Sequence, residues 1–204
     1  MNFLAHAYLA GESPADRLGG LIGDFVKGPL PAGLPADIAA GVRLHRQIDV
    51  FADAHPAFRR SRERVSSPRR RVAGVMVDMF YDHFLARHWA RFDALPLEQF
   101  SAAMYALMAE HGAILPPRLV QILPRMRDAD WLTSYRCAAT IELALDRMAR
   151  RLRRANPLTG GGAQLRADYA GFEADFFEFI AAAEAFAARQ RAGRGSGEQL
   201  SGTE

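Results

Sequence analysis

At 204 residues, half of them hydrophobic, the chain is long enough for one sizeable domain with a real core. It has no run of about 18 uncharged apolar residues, which excludes a membrane-spanning helix. Cys137 is the sole cysteine, which excludes an internal disulfide and fits a reducing compartment. The formal net charge of +3 is carried almost wholly by arginine, Lys27 being the only lysine.

Helix signals dominate in chain order. Asn2 can cap a short apolar helix that carries His6. Pro14-Ala15-Asp16 can open a second helix running toward Lys27, weakened by Gly19, Gly20 and Gly23, which allow close approach of a backbone or ligand near Asp24. Gly28 to Gly33 reads as a loop, and Pro35 as the first turn of a helix that reaches about Ala54. His55-Pro56 is a break. Ser67-Pro68 suits the start of a long helix containing Asp78 and Asp82. Further helices are predicted from Pro96 to about Gly112, after Pro116-Pro117, from Ser134 to Arg154 with a basic end, and from Ala163 to Arg191 with Phe172, Phe176, Phe179 and Ile180 on its apolar side. Asn156 to Gly162 is rich in turn residues. No strand pattern and no internal repeat appear. The expectation is therefore an all-α fold, with one helical domain over residues 1–192 and a disordered tail over 193–204.

The residues able to do chemistry crowd into the first 83 positions: His6, Asp24, His45, Asp49, Asp53, His55, Asp78, Asp82 and His83. His45 and Asp49 are four apart, as are Asp78 and Asp82, so a helix stacks each pair on one face. Asp78 and Asp82 lie among Val75, Met76, Val77, Met79, Phe80, Phe84 and Leu85, which leave little solvated surface. Two like charges there repel and lose hydration, so they need a divalent metal or a set of arginines. The two pairs are expected to converge on one site. Imidazole and carboxylate donors suit Mn²⁺, Fe²⁺ or Zn²⁺, and the lack of cysteine ligands argues against a structural zinc. The plainer reading is also open: His6 as a packed histidine, His45 and Asp49 as an exposed pair, Asp53 in a local turn. No phosphate-binding glycine loop, dinucleotide fingerprint or nucleophile elbow is present.

Arg59, Arg60, Arg62, Arg64, Arg69, Arg70 and Arg71 fall in one short stretch interrupted by a single acid, Glu63. Such a cluster favours an anionic partner or is a solvated face.

Five segments together resemble the acyl carrier protein phosphodiesterase family: Met1–His6, Gly20–Gly28, Gly41–Asp49, Asp53–Pro56 and Asp78–Leu85. They occur in order over roughly the first 92 residues. The resemblance implies hydrolysis of the phosphodiester joining 4′-phosphopantetheine to a serine of holo-acyl carrier protein. The products would be the apo-carrier protein and free 4′-phosphopantetheine, in the setting of fatty acid biosynthesis. It also implies a distant, rearranged kinship with the HD-domain metal phosphohydrolases and a cofactor of Mn²⁺, or another divalent ion such as Mg²⁺ or Fe²⁺. The adjacent His-Asp doublet of that group is missing, with Gly23-Asp24 and Asp82-His83 in its place.

On this reading Asp24, His45 and Asp78 are expected to be catalytic. The candidate metal ligands are His6, Asp24, His45, Asp49, Asp78, Asp82 and His83. Lys27, Arg43, Arg46, Arg59, Arg60, Arg62, Arg69, Arg70 and Arg71 are expected to dock the small, strongly acidic carrier protein. No nucleic-acid or membrane partner is expected, and the location is expected to be cytoplasmic. Two alternatives are an HD-like phosphohydrolase acting on a nucleotide or other small phosphate ester, and a non-catalytic arginine-rich binding protein.

Overall fold

The computed structural model describes residues 2–151 and 156–198. All regular structure among them is helical, and no described helix is long and apolar enough to cross a membrane. The helices are α1 (Phe3–Leu9), α2 (Pro14–Ile22), α3 (Ala36–Ala54), α4 (Pro56–Arg64), α5 (Ala73–Arg87), α6 (Leu97–Glu110), α7 (Pro117–Asp128), α8 (Trp131–Ser134), α9 (Ala138–Arg151), α10 (Gly162–Ala167) and α11 (Tyr169–Glu198).

The core is built around α5. Met76, Val77, Met79, Phe80, Tyr81, Phe84, Leu85 and Ala86 are all buried, so this helix is apolar almost all round, the pattern of a helix enclosed by others. Among its neighbours are α1, α4, α9 and α11. The stripe Phe172, Phe176, Phe179, Ala183 and Ala187 of α11 follows helical spacing and is fully buried. Its rings meet those of α5 directly: Phe80 packs on Phe172 at 5.1 Å, and Tyr81 on Phe176 and Phe179 at 5.6 and 5.3 Å.

Several boundaries differ from those read in the sequence. Helix α2 stops at Ile22 and a 3-10 turn, Gly23–Phe25, carries Asp24. The long central helix begins at Ala73, because Ser67–Val72 forms a 3-10 turn first. Residues 57–64, given no element in advance, form most of α4; His55 ends α3 and caps α4, its Nδ1 accepting from the Ala57 amide at 3.3 Å. The last helix is broken at Asp168, whose carboxylate accepts from the Gly171 amide at 3.2 Å and so starts α11 afresh. Residues 193–198, assigned by composition to a tail, continue α11. The predicted end of the Ser134 helix, residues 152–154, and residues 199–204 of the predicted tail lie outside the described residues.

Two glycines set the distance between α2 and α3. A Cβ on Gly19 would sit 2.4 Å from the backbone of Gly41, and one on Gly41 would sit 2.8 Å from the Ala15 carbonyl. The two backbones therefore touch, which carries the His45 side of α3 up against the end of α2.

The cap of α1 comes from elsewhere in the chain. Asn2 makes no capping bond; its amide reaches the Met79 sulfur. Instead the Asp82 carboxylate, fully buried, accepts from the amides of Leu4 at 2.9 Å and Ala5 at 3.1 Å. The positive end of the α1 dipole thus faces the acid. Burial still pushes the Asp82 carboxyl up to about 7, against the pull of the two amides. Above its ordinary value of 3.8 the unfolded chain has released this proton while the folded chain holds it. Stability from this residue is therefore greatest below that value, falls as pH rises through the window to about 7, and is level above. At about 1.4 kcal/mol per unit, the decline contributed by Asp82 approaches about 4 kcal/mol. Urea titrations between these pH values are expected to show a shallower pH slope for Asp82→Asn than for the parent; identical slopes would contradict the assignment.

Candidate active site

Four elements bring polar residues together at one cleft, with Asp24, Asp49 and Asp78 lining it and the buried His6 and His45 reached through Asp49. α1 supplies His6, the 3-10 turn supplies Asp24, α3 supplies His45 and Asp49 from successive turns, and α5 supplies Asp78. Asp49 is shared: one oxygen lies 3.1 Å from His6 Nε2 and the other 3.3 Å from His45 Nε2. Asp24 approaches His45 Nε2 at 3.6 Å from the solvent side, 59% of its side chain being exposed. The two imidazoles stack with centroids 3.6 Å apart and planes 20° from parallel. Both are buried.

The tautomer of His45 follows from its surroundings. Nδ1 lies 2.9 Å from the Gly20 carbonyl, which only accepts, so Nδ1 carries the hydrogen and Nε2 faces the carboxylates. Gly23 makes room for this ring: a Cβ there would sit 2.3 Å from it. Arg46, one residue on, donates to the carbonyls of Val26 at 3.0 Å and Gly28 at 2.9 Å, which ties the chain beyond Asp24 to α3.

The electrostatics of the cluster are lopsided. Burial opposes charge on His45, but the hydrogen bonds to Asp24 and Asp49 outweigh it and push the imidazole up to about 9. Burial, with His45 beside it, drives His6 down to about 3. Burial works against both carboxylates, yet the histidines hold Asp24 and Asp49 below the usual range. Asp78 is the opposite case, pushed up chiefly by burial. Two stacked imidazoles cannot both carry a proton cheaply, and Nδ1 of His6 is buried with no hydrogen-bond partner.

This donor set fits a divalent cation. One ligand atom each from His6, His45 and Asp49 lie within 4.8 Å of one another. The Nδ1 hydrogen bond of His45 to a backbone carbonyl is the arrangement that orients a ligating imidazole. Asp24, Asp49, Asp53 and Asp78 all line the same cleft of about 350 Å³, together with the apolar Phe58, Met79 and Met148.

A family model described as acyl carrier protein phosphodiesterase matches residues 1–183. The chain belongs to the acyl carrier protein phosphodiesterase family. It is 36% identical over 191 residues to the protein of that name from Escherichia coli O157:H7, covering 93% of this chain and 99% of the relative. It is 37% identical to the protein of that name from Salmonella dublin over the same shares. No solved structure matches the chain significantly.

Of the seven side chains expected to ligate in this member of the acyl carrier protein phosphodiesterase family, His6, Asp24, His45 and Asp49 come together and Asp78 lines the same cleft. Asp82 and His83 do not join them. Asp82 is engaged by the α1 amides, and His83 bridges the Tyr135 carbonyl at 2.8 Å and the Tyr169 hydroxyl at 2.9 Å. The α5 acids thus meet different partners: a helix end serves one, and the cleft receives the other. Asp53 and Asn2, outside the expected set, line the cleft as well. For Asp53 the signal was present: His45, Asp49 and Asp53 repeat at four-residue spacing along α3.

The expected docking arginines are largely occupied within the molecule. Arg60 Nε bonds Asp175 at 3.0 Å and its terminal nitrogens bond Glu178; Arg62 pairs with Asp53 at 3.3 Å. Arg59 donates to the Asp53 carbonyl at 3.1 Å and Arg69 to the Thr159 carbonyl at 2.9 Å. Arg46 is the loop anchor described above. Lys27, Arg43, Arg70 and Arg71 remain exposed.

Proposed function

We propose that the chain hydrolyses the phosphodiester between 4′-phosphopantetheine and the serine of holo-acyl carrier protein, in the cleft that holds Asp24, Asp49 and Asp78. The carrying observation is the Asp49 carboxylate shared between two buried, stacked imidazoles. Relatives over nearly the full length bear the name of this activity, and the polar half of the cleft suits a phosphate diester. His6, His45 and Asp49, with Asp24 and Asp78 in reach of the cleft, would hold Mn²⁺ or another divalent ion such as Mg²⁺ or Fe²⁺. Such an ion supplies charge stabilisation at the phosphoryl oxygens and a lowered pKa for water.

The remaining work falls to side chains. Asp24, ionised and open to solvent, would take a proton from the attacking water. Asp78, which lines the cleft and whose carboxyl is pushed up, would return one to the departing serine oxygen. The water oxygen forms the new bond to phosphorus, the bond from phosphorus to the serine oxygen breaks, and the serine hydroxyl is regenerated. Before an ion is held, His45 Nε2 keeps Asp24 and Asp49 in register.

A cytoplasmic setting belongs to the same proposal, since it keeps the exposed thiol of Cys137 reduced. So does kinship with the HD-domain phosphohydrolases, although Asp82 and His83 are engaged away from the cleft. Asp24→Asn is expected to fold as the parent does, because the residue is exposed and sits in a short turn. It is expected to lose about a hundredfold or more in kcat on holo-carrier protein. Near-parental turnover with Mn²⁺ saturating would remove Asp24 from the chemistry, and turnover of a nucleotide panel in preference to the carrier would favour a small phosphate ester instead.

A further inference from the structure

A second cavity, of about 650 Å³, lies between α7 and α9. Arg125, Arg147, Arg150 and Arg151 line it together with Trp131, and its one acid is Asp128. That acid lies 3.7 Å from Arg127. Among the described residues no carboxylate pairs with any of the four lining guanidinium groups, and all four are exposed. This sets them apart from Arg60, Arg62 and Arg64, each of which grips an acid. On α9 the three arginines stand at i, i+3 and i+4, so like charges share one face of the helix and repel. Against that repulsion stand the C-terminal end of the α9 dipole and the single groove acid, Asp128.

We infer that this groove is the docking site for an acidic face of the carrier protein substrate. The inference rests on the phosphodiesterase reading above and moves docking from the α4 arginines to α7 and α9. Four cations from two helices around a cavity of about 650 Å³, with Trp131 beside them, match several carboxylates on one surface better than they match one small anion. The placement suits delivery of the substrate. Met148 of α9 lines the catalytic cleft while Arg147, Arg150 and Arg151 line the groove, so one helix forms a wall of both. These residues lie within about one helical turn, roughly 5 Å along the axis. A carrier held on the groove would present its modified serine at the rim of the cleft.

The test compares three full-length proteins on holo-carrier protein: the parent, Arg147→Glu/Arg150→Glu, and Arg87→Glu/Arg189→Glu. The last carries the same charge change on exposed residues of α5 and α11, outside both cavities. Reversal in the groove is expected to raise KM for the holo-carrier about tenfold with kcat little changed, and to flatten the decline of kcat/KM with salt. Its turnover of bis(p-nitrophenyl) phosphate is expected to match the parent. The α5/α11 reversal is expected to leave KM within about twofold. Parental KM in the groove variant, or equal losses in both variants, would overturn the docking site while leaving the phosphodiesterase reading intact. Tighter binding of an RNA or DNA duplex than of the carrier, abolished by the groove reversal, would also overturn it. A parent that turns over the small diester but leaves the holo-carrier intact would overturn the underlying reading and the groove with it.

Discussion

Asp49→Asn is expected to lower kcat/KM on holo-carrier protein by about 10³-fold, equivalent to about 4 kcal/mol of transition-state stabilisation. The residue contacts both imidazoles at once, at 3.1 and 3.3 Å, and no other described carboxylate approaches His6 so closely. Removing its charge takes away the only carboxylate among the three clustered candidate ligands. In the metal-free protein it also withdraws one of the two acids that keep His45 protonated, so the imidazole should titrate well below its value of about 9. Proton NMR of the two histidines reads this independently of activity. The side chain is 39% exposed and sits on the cleft wall, so the fold should survive. An unchanged His45 titration together with full activity would show that Asp49 is a bystander.

The largest effect on stability is expected from Asp175→Ala. Asp175 of α11 is 2% exposed and accepts from three groups of α4: Arg60 Nε at 3.0 Å, Ser61 Oγ at 3.0 Å and Arg64 Nε at 2.7 Å. Ser61, fully buried, also meets the Tyr81 hydroxyl of the central helix at 3.0 Å. The acid therefore ties α4, α5 and α11 into one polar network inside an aromatic core. Its removal leaves Ser61 without its carboxylate and Arg60 and Arg64 with only the more exposed Glu178 and Asp168. The expected loss is about 3 kcal/mol, at the low end for a broken buried pair because Arg60 and Arg64 retain contact with water. A loss of that size lowers Tm by roughly 6–12 °C in a chain of this length. Urea unfolding at neutral pH measures it. A loss under about 1 kcal/mol, the scale of an exposed ion pair, would contradict the assignment.

That network also shows where sequence reading stops. The density of arginine from 59 to 71 is plain in the sequence, and so is its affinity for acids. The acids that satisfy it, Asp168, Asp175 and Glu178, lie more than a hundred residues away and become visible only when α11 packs on α4. The same limit governs α5. Four-residue spacing places Asp78 and Asp82 on one face and states that something must compensate for their burial. It does not say what: a helix N-terminus brought in from residues 3–9 receives Asp82, and one turn further Asp78 reaches the cleft.

Other features are local and were legible. The His45/Asp49 pair, the glycines beside Asp24, the break at His55-Pro56 and the apolar stripe of α11 each depend on neighbours a few residues away. The basic end of α9 was visible too, but as a complement to its dipole; the facing Arg125 of α7 makes it a groove.

The most direct test of the account is intact-mass spectrometry of holo-acyl carrier protein incubated with the chain and Mn²⁺, run beside Asp49→Asn. The account predicts that the parent removes the phosphopantetheine group, leaving a carrier with an unmodified serine, and that the variant leaves the holo mass in place. A holo-carrier that persists with the parent protein, or that is cleaved equally by both, would contradict it.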